Sequence, residues 1–214
     1  MFVHTTEKKD LVEDCINSLL KLNYPKDKYE IIFVDDGSTD GTYEILNKYP
    51  IKVIHNKRNL GLYASKNIGI RKSKGEIIAV TDDDCVVDKN WLKNIILTYD
   101  EDAKIGSVGG VVLPYKPKTL VEKFAISQKI LSQPKDCSFL LVQIVPTEKD
   151  VLEKVSYFDE SFISGGDVDI SYRIKDNGFK LKLASNAKVF HKHRISISGL
   201  FRQYEKYGMG MFIY

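Results

Sequence analysis

Three consecutive carboxylates, Asp82, Asp83 and Asp84, follow the apolar run at residues 77–80. Adjacent carboxylates repel one another and are hard to keep ionised in a partly enclosed place unless a cation or hydrogen bonds neutralise them. Mg²⁺ and Mn²⁺ prefer oxygen ligands, and Mg²⁺ usually takes only one or two protein carboxylates together with water and substrate phosphates. The three acids therefore predict a site for a metal-bound diphosphate, with a solvated acidic turn as the alternative.

A second pair of carboxylates, Asp35-Asp36, follows another apolar run at residues 29–34. Short apolar runs bounded by polar residues indicate buried strands, and in an open α/β sheet ligands bind at the carboxyl ends of the strands. Because parallel strands share that edge, both acidic groups are expected to converge on one ligand. A carboxylate of the first pair could bind a base or ribose while the second group holds the metal; helix capping by residues 36–42 is the alternative.

Strands alternating with helices indicate an α/β fold with a mostly parallel, doubly wound sheet, helices on both faces and a small mixed carboxyl-terminal part. The predicted strands are residues 1–3, 29–34, 51–54, 77–80, 106–113, 179–183 and 188–190. Apolar spacing predicts helices at residues 11–20, 91–99 and 168–176, with others near residue 45 and after residue 60. Gly109-Gly110 predicts a bulge or a close approach by a ligand, and residues 114–146 are interpreted as an irregular or helical insertion.

The composition fits one folded domain of 214 residues, with 43% hydrophobic and 29% charged residues. A formal net charge of +3 is too small to indicate nucleic acid binding. Without an apolar run of eighteen residues or a signal-peptide pattern, we expect a cytoplasmic chain that does not cross a membrane. Residues 173–206 hold nine Lys or Arg against two acids, which would suit a phosphorylated substrate, the cytoplasmic face of an anionic membrane, or a merely solvated surface.

Several motifs of this chain resemble, in the same order, those of family-2 glycosyltransferases with the Rossmann-like GT-A fold. They are Val34-Asp35-Asp36-Gly37-Ser38-Thr39-Asp40-Gly41-Thr42, Asn59-Leu60-Gly61, Lys66-Asn67-Ile68-Gly69-Ile70, Asp82-Asp83-Asp84, Phe158-Asp159-Glu160-Ser161-Phe162 and Gly166-Asp167-Val168-Asp169. The resemblance implies inverting transfer of a sugar from a nucleoside diphosphate donor, with a UDP-sugar favoured and Mn²⁺ or Mg²⁺ as cofactor. It also implies a nucleotide-sugar-binding half at residues 1–113, an acceptor-side half at residues 114–214, and a lipid-linked or glycan acceptor.

The resemblance assigns roles to residues of the nucleotide-binding half. Asp36 would accept a hydrogen bond from the base, and Thr5 would lie beside the nucleotide. Asp82 would face the ribose, and Asp84 would bind the metal that bridges the diphosphate. Lys66 stands where the family often has Arg, and a Lys there can meet a base or phosphate as a point charge without the bidentate fork of Arg.

In the acceptor-side half, Asp167 matches the aspartate that the family uses as general base. Direct displacement at the anomeric carbon requires such a base, because the acceptor hydroxyl must lose its proton opposite the departing diphosphate. The alternative for Asp167 is an N-cap of a helix beginning at Val168, and Asp169 is expected to orient or cap. His191 falls where many relatives place a histidine near the metal and diphosphate, with an ordinary surface histidine as the alternative. His193 and Arg194 are expected near phosphate.

The chain departs from the family pattern in three places. Gly166 replaces the usual Glu before the catalytic Asp, the first strand lacks the common Pro and Tyr, and residues 143–147 lack the basic residues of relatives. The acceptor therefore cannot be transferred from the family. A catalytically weak nucleotide-sugar-binding relative and a sugar nucleotidyltransferase are the alternative functions, although the first strand is not followed by a glycine-rich basic loop. A signalling receiver domain would be much shorter and would lack the acidic loop at Asp167.

Overall fold

The computed structural model describes residues 1–128, 137–140 and 147–211. The strands are β1 (Phe2–Thr5), β2 (Ile32–Asp35), β3 (Lys52–His55), β4 (Ile77–Ile78), β5 (Val80–Asp82), β6 (Cys85–Val87), β7 (Ile105–Pro114), β8 (Thr147–Glu148) and β9 (Lys180–His191). The α-helices are α1 (Lys9–Leu20), α2 (Thr42–Leu46), α3 (Leu62–Lys72), α4 (Trp91–Tyr99), α5 (Leu120–Ser127), α6 (Lys149–Lys154), α7 (Gly166–Asp176) and α8 (Ile197–Met211). Strands and helices alternate along most of the chain, which confirms the predicted α/β class.

The first four-stranded sheet is parallel and has the order β3-β2-β1-β5. Along β1, Thr5 lies opposite Asp35 of β2, and His4 lies opposite Asp82 of β5. The two acidic groups therefore leave the same edge of the sheet on either side of one strand, as expected from the two apolar runs.

Alternation along the strands sends side chains to both faces of this sheet. Val3 and Phe33 pack with α1 and α4 in one core, while Phe2 and Ile32 pack with α3 and α7 in the other. A Cβ atom on Gly69 would lie 2.3 Å from the ring of Phe2, so α3 can approach β1 this closely only because residue 69 has no side chain. The predicted covering of both faces by helices is confirmed.

The second sheet is mixed, with five strands in the order β4-β8-β7-β9-β6. The apolar run at residues 77–80 is not one strand, because β4 pairs with β8 in this sheet whereas β5 pairs with β1 in the parallel one. The strand predicted at 106–113 also belongs here, and its register shifts between Gly109 and Val111, where the bulge was predicted. The two short strands predicted at 179–183 and 188–190 form one continuous strand, β9.

Other differences concern the carboxyl-terminal part. Helix α7 begins at Gly166, two residues before the predicted start, and residues 197–211 form a helix that the sequence pattern did not predict. Part of the predicted insertion at 114–146 is α5, which Thr119 and Glu122 begin with reciprocal side-chain to backbone hydrogen bonds. Residues 129–136 and 141–146, including most of the segment expected to lack basic residues, lie outside the described residues.

Candidate active site

The three consecutive carboxylates lie where the chain leaves the parallel sheet for the mixed one. Asp82 is the last residue of β5, and Asp83 and Asp84 form the turn into β6. Lys66 of α3 places its Nζ atom 3.6 Å from Oδ1 of Asp82 and is only 1% exposed. Lys66 is therefore held beside the acidic turn, and its contact with a base or phosphate stays a prediction.

Asp84 is nearly buried and lies between an imidazole and two cations. Antiparallel pairing of β6 with β9 sets Cys85 opposite His191, which brings Nε2 of His191 to 3.4 Å from Oδ1 of Asp84. Nη2 of Arg194 lies 3.7 Å and Nζ of Lys8 3.8 Å from Oδ2. Burial alone would raise the pKa of Asp84, but His191, Lys8 and Arg194 hold it below its usual value.

The pKa of Asp83 is shifted in the opposite direction to that of Asp84, because fewer positive charges lie close to Asp83. Burial raises the pKa of Asp83 to about 7, the Asp84 carboxylate adds to the increase, and Lys8 at 3.9 Å opposes it only in part. Two adjacent carboxyl groups thus have pKa values displaced in opposite directions. The Asp83–Asp84 pair could accept a further cation, because a divalent ion would favour the ionised form of both carboxyl groups.

The residues around Asp84 fit a divalent metal that takes few protein ligands. Within residues 1–128, 137–140 and 147–211, no group of three or more His, Cys, Asp or Glu side chains is arranged to hold a metal ion. A carboxylate and an imidazole 3.4 Å apart nevertheless form a donor pair that suits Mn²⁺, with diphosphate oxygens and water to complete the coordination. Nδ1 of His191 is buried without a hydrogen-bond partner in the described part of the chain.

Asp36 is fully enclosed and accepts hydrogen bonds from the segment before α3. Asn56 Nδ2 donates at 2.8 Å and Leu60 N–H at 2.9 Å to Oδ1, and Gly61 N–H donates at 2.9 Å to Oδ2. Burial would raise the pKa of Asp36, but these donors and the His4 imidazole, 3.7 Å away, hold it well below its usual range. Asp36 thus does not cap α2, and its expected contact with a base stays a prediction.

The other members of the first acidic motif have local partners. Asp35 receives N–H of Ser38 at 3.3 Å and faces Nδ1 of His55 at 2.6 Å. Asp40, rather than Asp36, binds the amide of Thr42 at the start of α2. Thr5, at the end of β1, is buried, and its hydroxyl lies beside Asp83, where it lowers the pKa of that carboxyl group.

Asp167 lies in the first turn of α7, one residue after Gly166. The N-cap of this helix is Gly165 in a left-handed conformation, so Asp167 is not the N-cap that the alternative explanation required. The N–H of Gly166 donates at 2.9 Å to the hydroxyl of Tyr63, which lies on α3. Tyr63 and Lys66 share one face of α3, so a single helical turn contacts both the Asp167 loop and the acidic turn at Asp82.

Asp169 has a structural partner and does not face the same way as Asp167. Its Oδ2 binds Nε of Arg173 at 2.9 Å and Nη2 at 2.5 Å. Arg173 in turn donates to the carbonyl oxygens of Val155 and Tyr157. Asp169 therefore orients an arginine that ties α7 to the preceding loop, which agrees with the expectation that it would orient rather than react.

The side chain of Asn67 holds the loop at Phe158 against α3. Its side chain donates from Nδ2 to the carbonyl oxygen of Phe158 at 2.9 Å, and its Oδ1 accepts from the Phe158 N–H at 3.1 Å. Both contacts are buried and span ninety-one residues of sequence. Asn67 thus has a structural role, since its hydrogen bonds fix α3 against the loop that leads to Asp167.

Sequence reasoning missed Lys8, Tyr63 and Tyr207 as site residues. Lys8 follows the carboxyl end of β1, so the same edge rule that selected the aspartates could have identified it. Burial raises the pKa of Tyr207, the hydrogen bond with Gln203 opposes the increase, and the charges of Asp82 and Asp84 add to it, so this α8 residue lies within the electrostatic influence of the acidic turn. No sequence signal marked Tyr63 or Tyr207, because an isolated tyrosine on a helix is usually a packing residue.

Comparison with known proteins agrees with this geometry. The family model described as glycosyl transferase family 2 matches residues 2–144, and the model for glycosyl transferase family group 2 matches residues 77–214. Glycosyltransferase AglE of Haloferax volcanii is 31% identical over 192 residues, which are 86% of this chain and 63% of that protein. The chain thus spans less than two thirds of this relative's length.

Two solved structures are similar in fold. The mannosyltransferase PcManGT of Pyrobaculum calidifontis, in complex with GDP-Man and Mn²⁺, superposes with a TM-score of 0.78 at 19% identity, over 98% of this chain and 60% of that one. Residues 1–349 of S. aureus TarS, in complex with UDP-GlcNAc, give a TM-score of 0.75 at 22% identity, over 93% of this chain and 59% of that one. The family model covers more than half of the sequence and the fold agrees throughout, so this chain belongs to glycosyl transferase family 2.

Proposed function

We propose that this chain carries the donor-binding and catalytic residues of a metal-dependent, inverting glycosyltransferase that moves a sugar from a nucleoside diphosphate to an acceptor hydroxyl. The observation that carries the proposal is the turn of α3 at Tyr63 and Lys66. Lys66 meets Asp82, while Tyr63 meets the start of α7 directly before Asp167. The acidic turn and the start of α7 both contact this one helix, which would hold a donor and a base at a fixed distance, as a direct displacement requires.

The charge count at the acidic turn supports a divalent ion bound together with the diphosphate. Three cations, Lys8, Lys66 and Arg194, lie within 4 Å of the three carboxylates at residues 82–84. The turn is therefore close to neutral as it stands, and a diphosphate would bring uncompensated negative charge. Mn²⁺ or Mg²⁺ on Asp84 and His191 would restore the balance, and when bound it would neutralise charge growing on the departing diphosphate.

The protein's own residues divide the remaining tasks between them. Asp82 would face the ribose, and Lys66 would meet a phosphate or base as a point charge. Thr5 and Asp36 would lie beside the base, with Asp36 also holding the segment at Leu60 in place. UDP is our preferred nucleotide, although the similar structures hold UDP-GlcNAc in one case and GDP-Man in the other.

Asp167 would take the proton from the acceptor hydroxyl as the new glycosidic bond forms. A carboxylate in the first turn of a helix is stabilised by the helix dipole, which favours the ionised form that a base needs. A single displacement assisted by one base inverts the anomeric configuration. NMR of the fresh product distinguishes this outcome from retention, and retention would exclude the mechanism.

We further propose that the acceptor-side half contacts an anionic lipid surface, as a lipid-linked acceptor would require. Large apolar side chains are exposed on α5 and α8, which pack together: Leu120 is 82% exposed and Phe201 71%. The basic segment 173–206 runs into the same region and complements anionic head groups. None of the described helices is both long and apolar enough to cross a membrane.

Vesicle sedimentation tests the lipid contact. The protein should sediment with vesicles containing phosphatidylglycerol and not with pure phosphatidylcholine, and Phe201→Ser should weaken sedimentation. Leu97→Ser is the matched control, because Leu97 is 55% exposed on a different helix, α4. Equal loss for both variants, or no sedimentation with either vesicle, would exclude the contact.

The donor assignment is tested by calorimetry with UDP, with and without Mn²⁺. Asp84→Asn should reduce UDP affinity in Mn²⁺ by roughly 10- to 100-fold, whereas in EDTA the variant and wild type should be equal. Asp88→Asn is the control, since Asp88 is half-buried four residues after the turn and its side chain accepts a hydrogen bond from the N–H of Asn90. Equal UDP affinity of the wild-type protein in Mn²⁺ and in EDTA would refute the role of Asp84.

The assignment of Asp167 is tested by turnover. Asp167→Asn should lower the rate by about 10² to 10⁴, the range typical of a lost general base, while UDP affinity stays unchanged. Asp169→Asn is the informative comparison, because it removes the same charge two residues away. An Asp167→Asn enzyme of normal rate would refute the assignment of the base. Lack of turnover in the wild-type protein, with UDP still bound, would instead favour a nucleotide-sugar-binding protein.

A further inference from the structure

Tyr63 occupies the space that a side chain at position 166 would need. A Cβ atom on Gly166 would lie 2.7 to 3.0 Å from three atoms of the Tyr63 ring, closer than such contacts allow. The ring is 4% exposed and stacks on Phe158, with centroids 5.5 Å apart and planes inclined by 25°. Because the Tyr63 ring fills this space, position 166 accommodates only a residue without a side chain.

The hydroxyl of Tyr63 accepts a hydrogen bond from one of the free amides at the start of α7. Gly165 has no side chain with which to bind the free amides of the first turn of α7. Instead, the Gly166 N–H donates to Tyr63 Oη at 2.9 Å, from an element one hundred and three residues away in sequence. The start of α7, and with it Asp167, is thus fixed relative to α3 by a buried hydrogen bond.

We propose that Tyr63 is a positioning residue for Asp167, which it holds at a set distance from the donor site by binding the first amide of α7 from the helix that also carries Lys66. This inference rests on the proposed function of Asp167. Burial raises the pKa of Tyr63 well above its usual value, and the Asp167 charge adds to the increase, in line with a neutral hydroxyl close to that carboxylate. The stacked ring and Asn67, one turn along α3, make the support rigid.

The test is Tyr63→Phe, which removes the hydroxyl and keeps the ring that packs on Phe158. The rate can be followed without an acceptor as release of UDP from UDP-GlcNAc, or of GDP from GDP-mannose, with water as the nucleophile and Mn²⁺ present. We expect kcat to fall roughly 10- to 100-fold, the size expected from a small misplacement of a reacting group, while KM for the donor is unchanged. Tyr49→Phe is the control, since it loses a surface hydroxyl bonded to Glu13 at 2.8 Å and should keep its rate.

Two further measurements separate positioning from a general structural role. In an Asp167→Asn background, Tyr63→Phe should lower kcat no further, because Tyr63 acts through Asp167. In ¹⁵N-labelled protein, hydrogen exchange of the Gly166 amide should accelerate in Tyr63→Phe and stay unchanged in Tyr49→Phe. This second measurement does not depend on activity.

The outcomes distinguish the inference from the proposed function beneath it. A slow Asp167→Asn enzyme with a Tyr63→Phe enzyme of normal rate would overturn positioning by Tyr63 and leave the base assignment standing. An additive loss in the double variant, or unchanged exchange of the Gly166 amide, would also overturn it. If Asp167→Asn itself turned over normally, the base assignment would fail first, and positioning of that base would fail with it.

Discussion

Asp36→Asn should destabilise the protein more than any surface substitution, because the aspartate is a fully enclosed acceptor. Three donors converge on it: Asn56 Nδ2 and the backbone amides of Leu60 and Gly61. The oxygen of an asparagine can serve two of them, and its NH₂ group would then face the third. A buried unsatisfied donor costs about 1–3 kcal/mol, and replacing charged by neutral acceptors adds to this, for a total of about 2–4 kcal/mol.

For a chain of this length, that loss corresponds to a fall in melting temperature of roughly 5–15 °C. The pH dependence has a definite sign. The pKa of Asp36 is lowered by folding, so its contribution is fully present above the unfolded pKa near 4 and is lost only as pH falls below that value. The difference between wild type and Asp36→Asn should therefore be constant from pH 5 to 8 and shrink in stronger acid.

Thermal unfolding and hydrogen exchange together test this reasoning. Exchange should accelerate at residues 59–61, and UDP affinity should fall because this segment precedes the helix that carries Lys66. Asp88→Asn, which removes one hydrogen bond to a half-buried carboxylate, should cost less than half as much. A melting temperature within 2 °C of wild type, or within error of Asp88→Asn, would refute the enclosed-acceptor account. A changed preference for UDP over GDP would show that Asp36 also contacts the base.

Three further predictions follow from the packing around the site. In EDTA, the stability of the folded protein should decline as pH rises from about 4 to 7. Burial raises the pKa of Asp83 to about 7, so the folded state binds more protons than the unfolded state in this range. A Tm that declines equally in Asp83→Asn would contradict this. Gly166→Glu should unfold at lower temperature than wild type, and Tyr63→Ala in the same chain should recover part of the loss by making room for the new side chain. Arg173→Lys should cost about 1–3 kcal/mol, measured by urea unfolding, since an ammonium cannot bind Asp169 and two carbonyl groups in the same fork geometry; an unchanged midpoint would mean that these contacts contribute nothing.

The parallel half of the fold was predictable because its sequence periodicity and its environment agree. Apolar runs followed by acidic residues predicted β2 and the sheet edge at Asp82. Apolar residues at helical spacing predicted α1 and α4. Prediction was less accurate where a strand changes sheet. Nothing in the composition of residues 77–80 distinguishes a chain that pairs with β8 for two residues and with β1 for the next three, since pairing partners are set by tertiary contacts.

The candidate site was predictable residue by residue where a motif carried the information, and not where packing did. Asp84 and His191 come together because β6 pairs with β9, and this pairing could not be predicted from either segment of the sequence. Lys8 was within reach of the strand-end rule. Tyr63 was not, because its importance depends on a glycine more than a hundred residues away in sequence.

The two aspartates at the start of α7 show why the structure was needed to separate their roles. Side chains two residues apart on a helix point about 200° apart, so Asp167 and Asp169 cannot serve the same site. Asp169 has Arg173 one turn later, and that arginine binds carbonyl oxygens of the preceding loop, which fixes the direction of this face. The opposite face, with Asp167, then turns towards Tyr63, and the effect of Asp167 on the pKa of Tyr63 agrees with that orientation. Within this short acidic motif, Asp169 therefore fixes the orientation of α7, and that orientation directs Asp167 towards Tyr63.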